Sequence, residues 1–110
     1  MMSLTEKKCV PCEGGVPTIQ GQEIENYTCQ LKSKWTVVEE KLLRREFTFP
    51  DFVTALAFVN KVGAIAEEEG HHPDLHLSYG KVVVELWTHA IQGLSENDFI
   101  VAAKIDALGF

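Results

Sequence analysis

The chain has 110 residues, 45% of them apolar and 24% charged, which suits one soluble globular domain and is too little chain for two. Its formal net charge is −6, and Lys and Arg are scattered apart from the pairs Lys7-Lys8 and Arg44-Arg45, which excludes the clustered basic surface that nucleic acid requires. No apolar run approaches the roughly 20 residues of a membrane span, and residues 1–8 lack the hydrophobic stretch of a signal peptide, so a cytoplasmic protein with no membrane partner is expected.

Residues 1–20 read as an irregular lead-in, punctuated by Pro11, Gly14, Gly15 and Pro17, and residues 21–110 as a single domain. Three cysteines, Cys9, Cys12 and Cys29, make a poor disulfide framework. Cys9-Val-Pro-Cys12 has the spacing of half a zinc site, but no second CxxC completes it, and no strand-then-helix pattern frames it as a redox pair.

The first periodic segment, residues 22–33, predicts a helix with Ile24, Tyr27, Thr28 and Leu31 near one face. Residues 35–39 and 42–49 predict paired strands turning at Glu40-Lys41, without the usual Gly or Asn. Alternation puts Leu43, Arg45, Phe47 and Phe49 on one face, which Arg45 interrupts. Residues 51–69 predict the longest helix, with Phe52, Leu56, Val59, Val62 and Ala66 facing a sheet, Asp51 in the first turn and Gly70 closing the end. Residues 75–79 and 82–88 predict a second hairpin around Gly80-Lys81. Residues 95–108 predict a last helix, opened by Ser95-Glu96-Asn97-Asp98, a capping box with Asp in place of Glu. The order α-β-β-α-β-β-α implies an α+β domain, an antiparallel sheet with its helices on one face. A domain this small gains burial by oligomerising.

Three histidines stand where chemistry is expected. Histidine titrates at about pH 6.5 when unperturbed, so it can both give and take protons near neutrality. His71-His72 follow Gly70 and precede Pro73, which pushes His72 toward an extended conformation and presents two imidazoles from a stiff helix exit. His89 closes the strand that begins at Val82, and a strand end and a helix end can meet at one rim of a sheet. Glu67, about one turn before His71, can orient an imidazole, and Asp98 can reach the same rim. Plainer readings stand beside these: histidines complementing a helix dipole, a solvated acidic run Glu67-Glu68-Glu69, and a cap at Asp98. Zinc held by the histidines and a carboxylate is also open, although adjacent side chains diverge in extended chain. Tyr79 and Trp87 read as sheet packing, and Trp35 as core or as a wall for a flat ring.

The series Glu67, His71-His72-Pro73, Tyr79, Thr88-His89, Gly93-Leu94-Ser95 and Asp98 resembles the motif of the pterin-4a-carbinolamine dehydratase family, with matching spacings. The resemblance extends upstream through Trp35, Phe47, Asp51-Phe52 and Ala66-Glu67, covers about residues 22–108, and the segment from Cys9 to Pro17 is similar to the start of one subset of the family. It implies three helices against a four-stranded antiparallel sheet, a homodimer or homotetramer, and no metal or organic cofactor beyond the pterin substrate. By position it implies catalytic roles for His71, His72 and His89, supporting roles for Glu67 and Asp98, and pterin contacts from His71, His72, Pro73, Thr88, His89, Ala90 and Ile91; Trp35 joins the expected binding residues as a ring wall. Two positions depart from the family's pattern: Gly70 and Ala90 stand where relatives often carry acidic residues. The implied reaction is loss of water from a 4a-hydroxytetrahydropterin in tetrahydropterin recycling. Rival expectations are a protein-binding module of the transcription-factor partner type, or a folate- or molybdopterin-linked pterin binder.

Overall fold

The computed structural model describes residues 4–6, 18–31 and 35–108. Cys9, Cys12 and most of the expected lead-in lie outside the described residues. The elements are α1 (Gln22–Thr28), β1 (Thr36–Val38), β2 (Leu42–Thr48), α2 (Phe52–Glu69), β3 (Asp74–Ser78), β4 (Lys81–Leu86) and α3 (Glu96–Asp106), with 3-10 turns at Leu4–Glu6 and His89–Ile91. All strand pairs are antiparallel, in the order β1-β2-β4-β3. The α+β class and the order of elements are those expected.

Register explains which face is apolar. Leu43 lies opposite Leu86, Arg45 opposite Val84 and Phe47 opposite Val82, so one sheet face carries Leu43, Phe47, Val82, Val84 and Leu86 into the core. Each such side chain contributes about 1.5–3 kcal/mol on leaving water. Arg45 shares this face without breaking it: its guanidinium lies 4.2 Å from the centre of the Phe47 ring and donates to Asp106 at 2.9 Å. Asp106 sits at the last turn of α3, where the helix dipole disfavours a carboxylate; Arg45 and the Trp35 indole N–H, 3.1 Å away, offset that. The opposite face is mostly polar, with Arg44 and His76 both reaching Glu85 and Val83 buried among them.

Helix α3 is buried nearly all round, from Asn97 to Ala103 and again at Ile105. It packs against α2, α1 and the N-terminal 3-10 turn. Leu4 and Ile19 belong to this core, so the expected lead-in supplies two buried residues.

Several local expectations are corrected. Helix α1 ends at Thr28 rather than running to residue 33; the Thr28 hydroxyl turns back onto the Ile24 carbonyl at 2.6 Å, a bond that competes with helix continuation. The first hairpin turns one residue early, at Glu39-Glu40, both with positive φ (52° and 58°). That geometry suits the twist of a hairpin but strains a non-glycine residue, and the Glu40 carboxylate accepting the Gly21 N–H at 2.9 Å helps hold it. The second hairpin turns at Tyr79-Gly80, since Ser78 pairs with Lys81. Gly80 has φ 69°, and a Cβ there would stand 2.9 Å from the Phe49 carbonyl oxygen.

The face of α2 differs most. Its buried residues are Ala55, Phe58, Val62 and Ala66, whereas Phe52 and Leu56 are 42% and 40% exposed. The apolar positions are too many for one stripe, and the sheet takes the face centred on Phe58 and Val62. Asp51 is not in the first turn but caps it, accepting the Thr54 N–H at 2.8 Å. That bond holds the Asp51 carboxyl below the usual carboxylate range. A group with a depressed folded pKa contributes stability above its unfolded value and loses it as pH falls through the folded one. Asp51→Asn, which keeps a capping oxygen but no charge, is therefore expected to melt closer to the parent in strong acid than at neutral pH; an equal gap at both, followed by circular dichroism, contradicts the lowered Asp51 carboxyl.

Candidate active site

The C-terminal end of α2 delivers two of the expected histidines. Gly70 closes the helix in the left-handed conformation (φ 66°, ψ 27°), and its N–H and that of His71 both turn back to the Ala66 carbonyl. The chain then leaves through His72 and Pro73 into β3. One residue before the cap, the 2%-exposed Glu69 carboxylate accepts from Lys104 of α3 at 2.6 Å. Removing Lys104 would leave the buried Glu69 carboxylate without this partner, which destabilises the fold. The brace fixes the end of α2 against the helix that carries Asp98.

The third histidine comes from the other side of the same rim. After Leu86 the chain leaves the ladder, and a loop closes where the Thr88 N–H donates to the Gly93 carbonyl at 2.8 Å. His89 opens the 3-10 turn inside this loop instead of ending the strand as expected. Thr18 packs on Gly93: a Cβ there would stand 2.5 Å from the Thr18 methyl, so a side chain would have to displace Thr18.

Asp98 ties these pieces together. It is the third residue of α3, fully buried, and both carboxylate oxygens are used. One meets His71 Nε2 at 2.6 Å; the other accepts the Thr88 hydroxyl and the Ser95 N–H, each at 2.9 Å. The Thr88 hydroxyl also meets the Ser95 hydroxyl at 2.7 Å. One carboxylate thus serves as helix cap, support of His71 and anchor of the strand end that leads to His89. Asp98 is both the cap of α3 and the hydrogen-bond partner of His71. Glu67 pairs with His72 rather than His71, and this pair is exposed where His71–Asp98 is not.

Together these elements frame an open cleft of about 350 Å³. His71, His72, Pro73, Thr88, His89 and Ala90 line it, joined by Gly70, Asp74, Trp87 and Asn97. The structure therefore brings all three histidines to one cleft, with Glu67 and Asp98 behind two of them. Ile91 is not among the lining residues, nor is Trp35, which is 4% exposed, edge-on to Phe47 and bonded to Asp106. Trp35 is core, its indole turned to α3 by a buried carboxylate. His76 faces away, on Glu85 of the polar sheet face. No group of three or more His, Cys, Asp or Glu is arranged to hold a metal among the described residues. Sequence reasoning missed Asp74, Asn97 and Trp87 as lining residues. Trp87 was legible in principle: it lies two residues before His89, and side chains two apart in extended chain share a side.

The arrangement gathers three imidazoles around one concave surface. Residues 17–108 match the family model described as Pterin 4 alpha carbinolamine dehydratase. A Rickettsia canadensis protein with a provisional pterin-4-alpha-carbinolamine dehydratase name is 53% identical over 107 residues, covering 97% of this chain and 98% of that one. A similarly named Rubrobacter xylanophilus protein is 51% identical over 108 residues, covering 98% and 100%. Among solved structures, a Brucella melitensis protein described as a transcriptional coactivator/pterin dehydratase superposes with TM-score 0.76 at 32% identity, covering 83% of this chain and 97% of that one. The chain belongs to the pterin-4a-carbinolamine dehydratase family, a family of hydro-lyases.

Proposed function

We propose that this chain is a cytoplasmic, homo-oligomeric dehydratase that removes water from 4a-hydroxytetrahydropterin by histidine acid–base catalysis, in tetrahydropterin recycling. The observation that carries the reading is the meeting of His71, His72 and His89 in one cleft, with His71 on the buried Asp98. The substrate carries its hydroxyl on a ring carbon next to a ring nitrogen. One imidazolium, on His89 or His72, gives its proton to that hydroxyl; the C–O bond breaks as the nitrogen lone pair moves in, and water leaves. A ring N–H proton passes to an imidazole base, giving the quinonoid dihydropterin. The nitrogen already assists departure, so the factor of about 10²–10⁴ typical of general acid–base catalysis is enough. His71, held by Asp98, orients the ring or takes the proton. Pro73, Thr88 and Ala90, which line the cleft, supply contacts to the pterin, mostly from their backbone.

The test is a stopped-flow assay with chemically generated 4a-hydroxytetrahydropterin. Dehydration faster than the buffer rate and saturable in substrate supports the reading; the buffer rate alone overturns it. The Brucella structure's description favours a second reading, a protein-binding module, which would show partner association without dehydration.

Self-association draws support from α2, where Phe52, Val53 and Leu56 are exposed together near its start. Sedimentation is expected to give a dimer or tetramer, reduced to monomer by Val53→Glu combined with Leu56→Glu. A monomeric parent at micromolar concentration contradicts this.

A further inference from the structure

The three cleft histidines are supported differently. His71 rests on Asp98 and His72 on Glu67, each through Nε2. Among the described residues no carboxylate bonds to the His89 ring; its neighbour is the Trp87 indole, with centroids 3.9 Å apart and planes inclined by 34°. Trp87 is held in turn: its Nε1–H donates to Asp74 Oδ2 at 3.2 Å. Asp74 lies opposite Glu85 in the ladder, two residues before Trp87, so it reaches the indole diagonally across the strands. Asp74, Trp87 and His89 all line the cleft.

We propose that Trp87 is the positioning residue of His89, and that Asp74 sets the angle of the indole. His89 sits in a three-residue turn outside the ladder, where the backbone alone holds a side chain loosely. A flat ring against one face of the imidazole removes the rotamers that turn it to solvent, and attracts the imidazolium more than the neutral form. The indole thereby does for His89 what a carboxylate does for the other two, without hydrogen-bonding either nitrogen. That leaves both nitrogens free to meet the substrate, which suits His89 for the acid's role. The inference rests on the proposed histidine catalysis.

The test compares Trp87→Leu, Trp87→Phe, Asp74→Asn, His89→Ala and the double variant Trp87→Leu/His89→Ala in the stopped-flow assay. Ring pairs of this kind favour one arrangement by up to about tenfold, so Trp87→Leu is expected to lower kcat by about that factor with KM nearly unchanged. Trp87→Phe, which keeps a ring face, is expected to retain most of kcat, and Asp74→Asn to fall between the two. The double variant is expected to match His89→Ala, because Trp87 acts through His89. Raised KM with unchanged kcat would make Trp87 a wall of the substrate pocket and overturn the proposal. So would independent, multiplying losses in the double variant, or an unaffected Trp87→Leu beside an inactive His89→Ala. An active His89→Ala would instead strike at the histidine mechanism itself.

Discussion

Asp98→Asn is expected to lower kcat by about 10²-fold or more and to destabilise the fold by about 2–3 kcal/mol, because one buried group carries both loads. The two carboxylate oxygens accept from three donors on three segments: His71 beyond α2, Thr88 beyond β4 and Ser95 at the start of α3. An amide keeps one accepting oxygen and turns an N–H₂ group toward groups that are themselves donors, the Ser95 N–H among them. Either His71 loses its support or Thr88 and Ser95 lose theirs. A misplacement of about 1 Å costs on the order of 10²-fold in rate. Glu69 and Lys104 brace the same two helices, so the fold should survive for both quantities to be measured. Denaturant unfolding and stopped-flow turnover read them separately. Full turnover in Asp98→Asn would show that the buried carboxylate is only a cap.

The second large effect is expected at His72 and His89, each of which, replaced by alanine, should lower turnover by about 10²–10⁴-fold while the melting temperature stays close to the parent's. His72 is mostly exposed and His89 sits in a short turn outside the sheet, so neither contributes much burial. Loss of turnover without loss of stability separates a chemical role from a structural one. Unchanged turnover in both variants removes the mechanism.

The fold was legible where side chains alternate or repeat without ambiguity. Leu43 and Phe47 are placed on the buried sheet face by alternation, while register with β2 picks Val82, Val84 and Leu86 out of an unbroken apolar run, and Gly70 and Ser95 mark helix ends through the geometry they offer cheaply. The stripe expected on α2 holds at Val59, Val62 and Ala66 but not at Phe52 and Leu56, because alanines and larger apolar residues surround the helix and only the sheet decides which of them it covers. Arg45 looked like a flaw in a strand face; its partner Asp106 lies 61 residues away, beyond the reach of local pattern. A separation of 35 residues likewise hides the Glu69–Lys104 brace. The site was legible as a set of residues but not as an assembly. His71, His72 and His89 stand out by type and by their turns, yet nothing local assigns Asp98 to His71 and Glu67 to His72. Trp35 was placed at the cleft because a large aromatic suits a flat ring; burial against Phe47 and the bond to Asp106 take it into the core instead. Trp87, passed over as packing, occupies the cleft in its place.

The most direct test is the crystal structure of the protein with a bound dihydropterin, read together with the His89→Ala variant's affinity for it. The account predicts the bicyclic ring seated between the Gly70–Pro73 turn and the Trp87–Ala90 loop, with nitrogens of all three imidazoles within reach of its edge. A ring bound elsewhere, or one seated there with the histidines turned away from it, would contradict it.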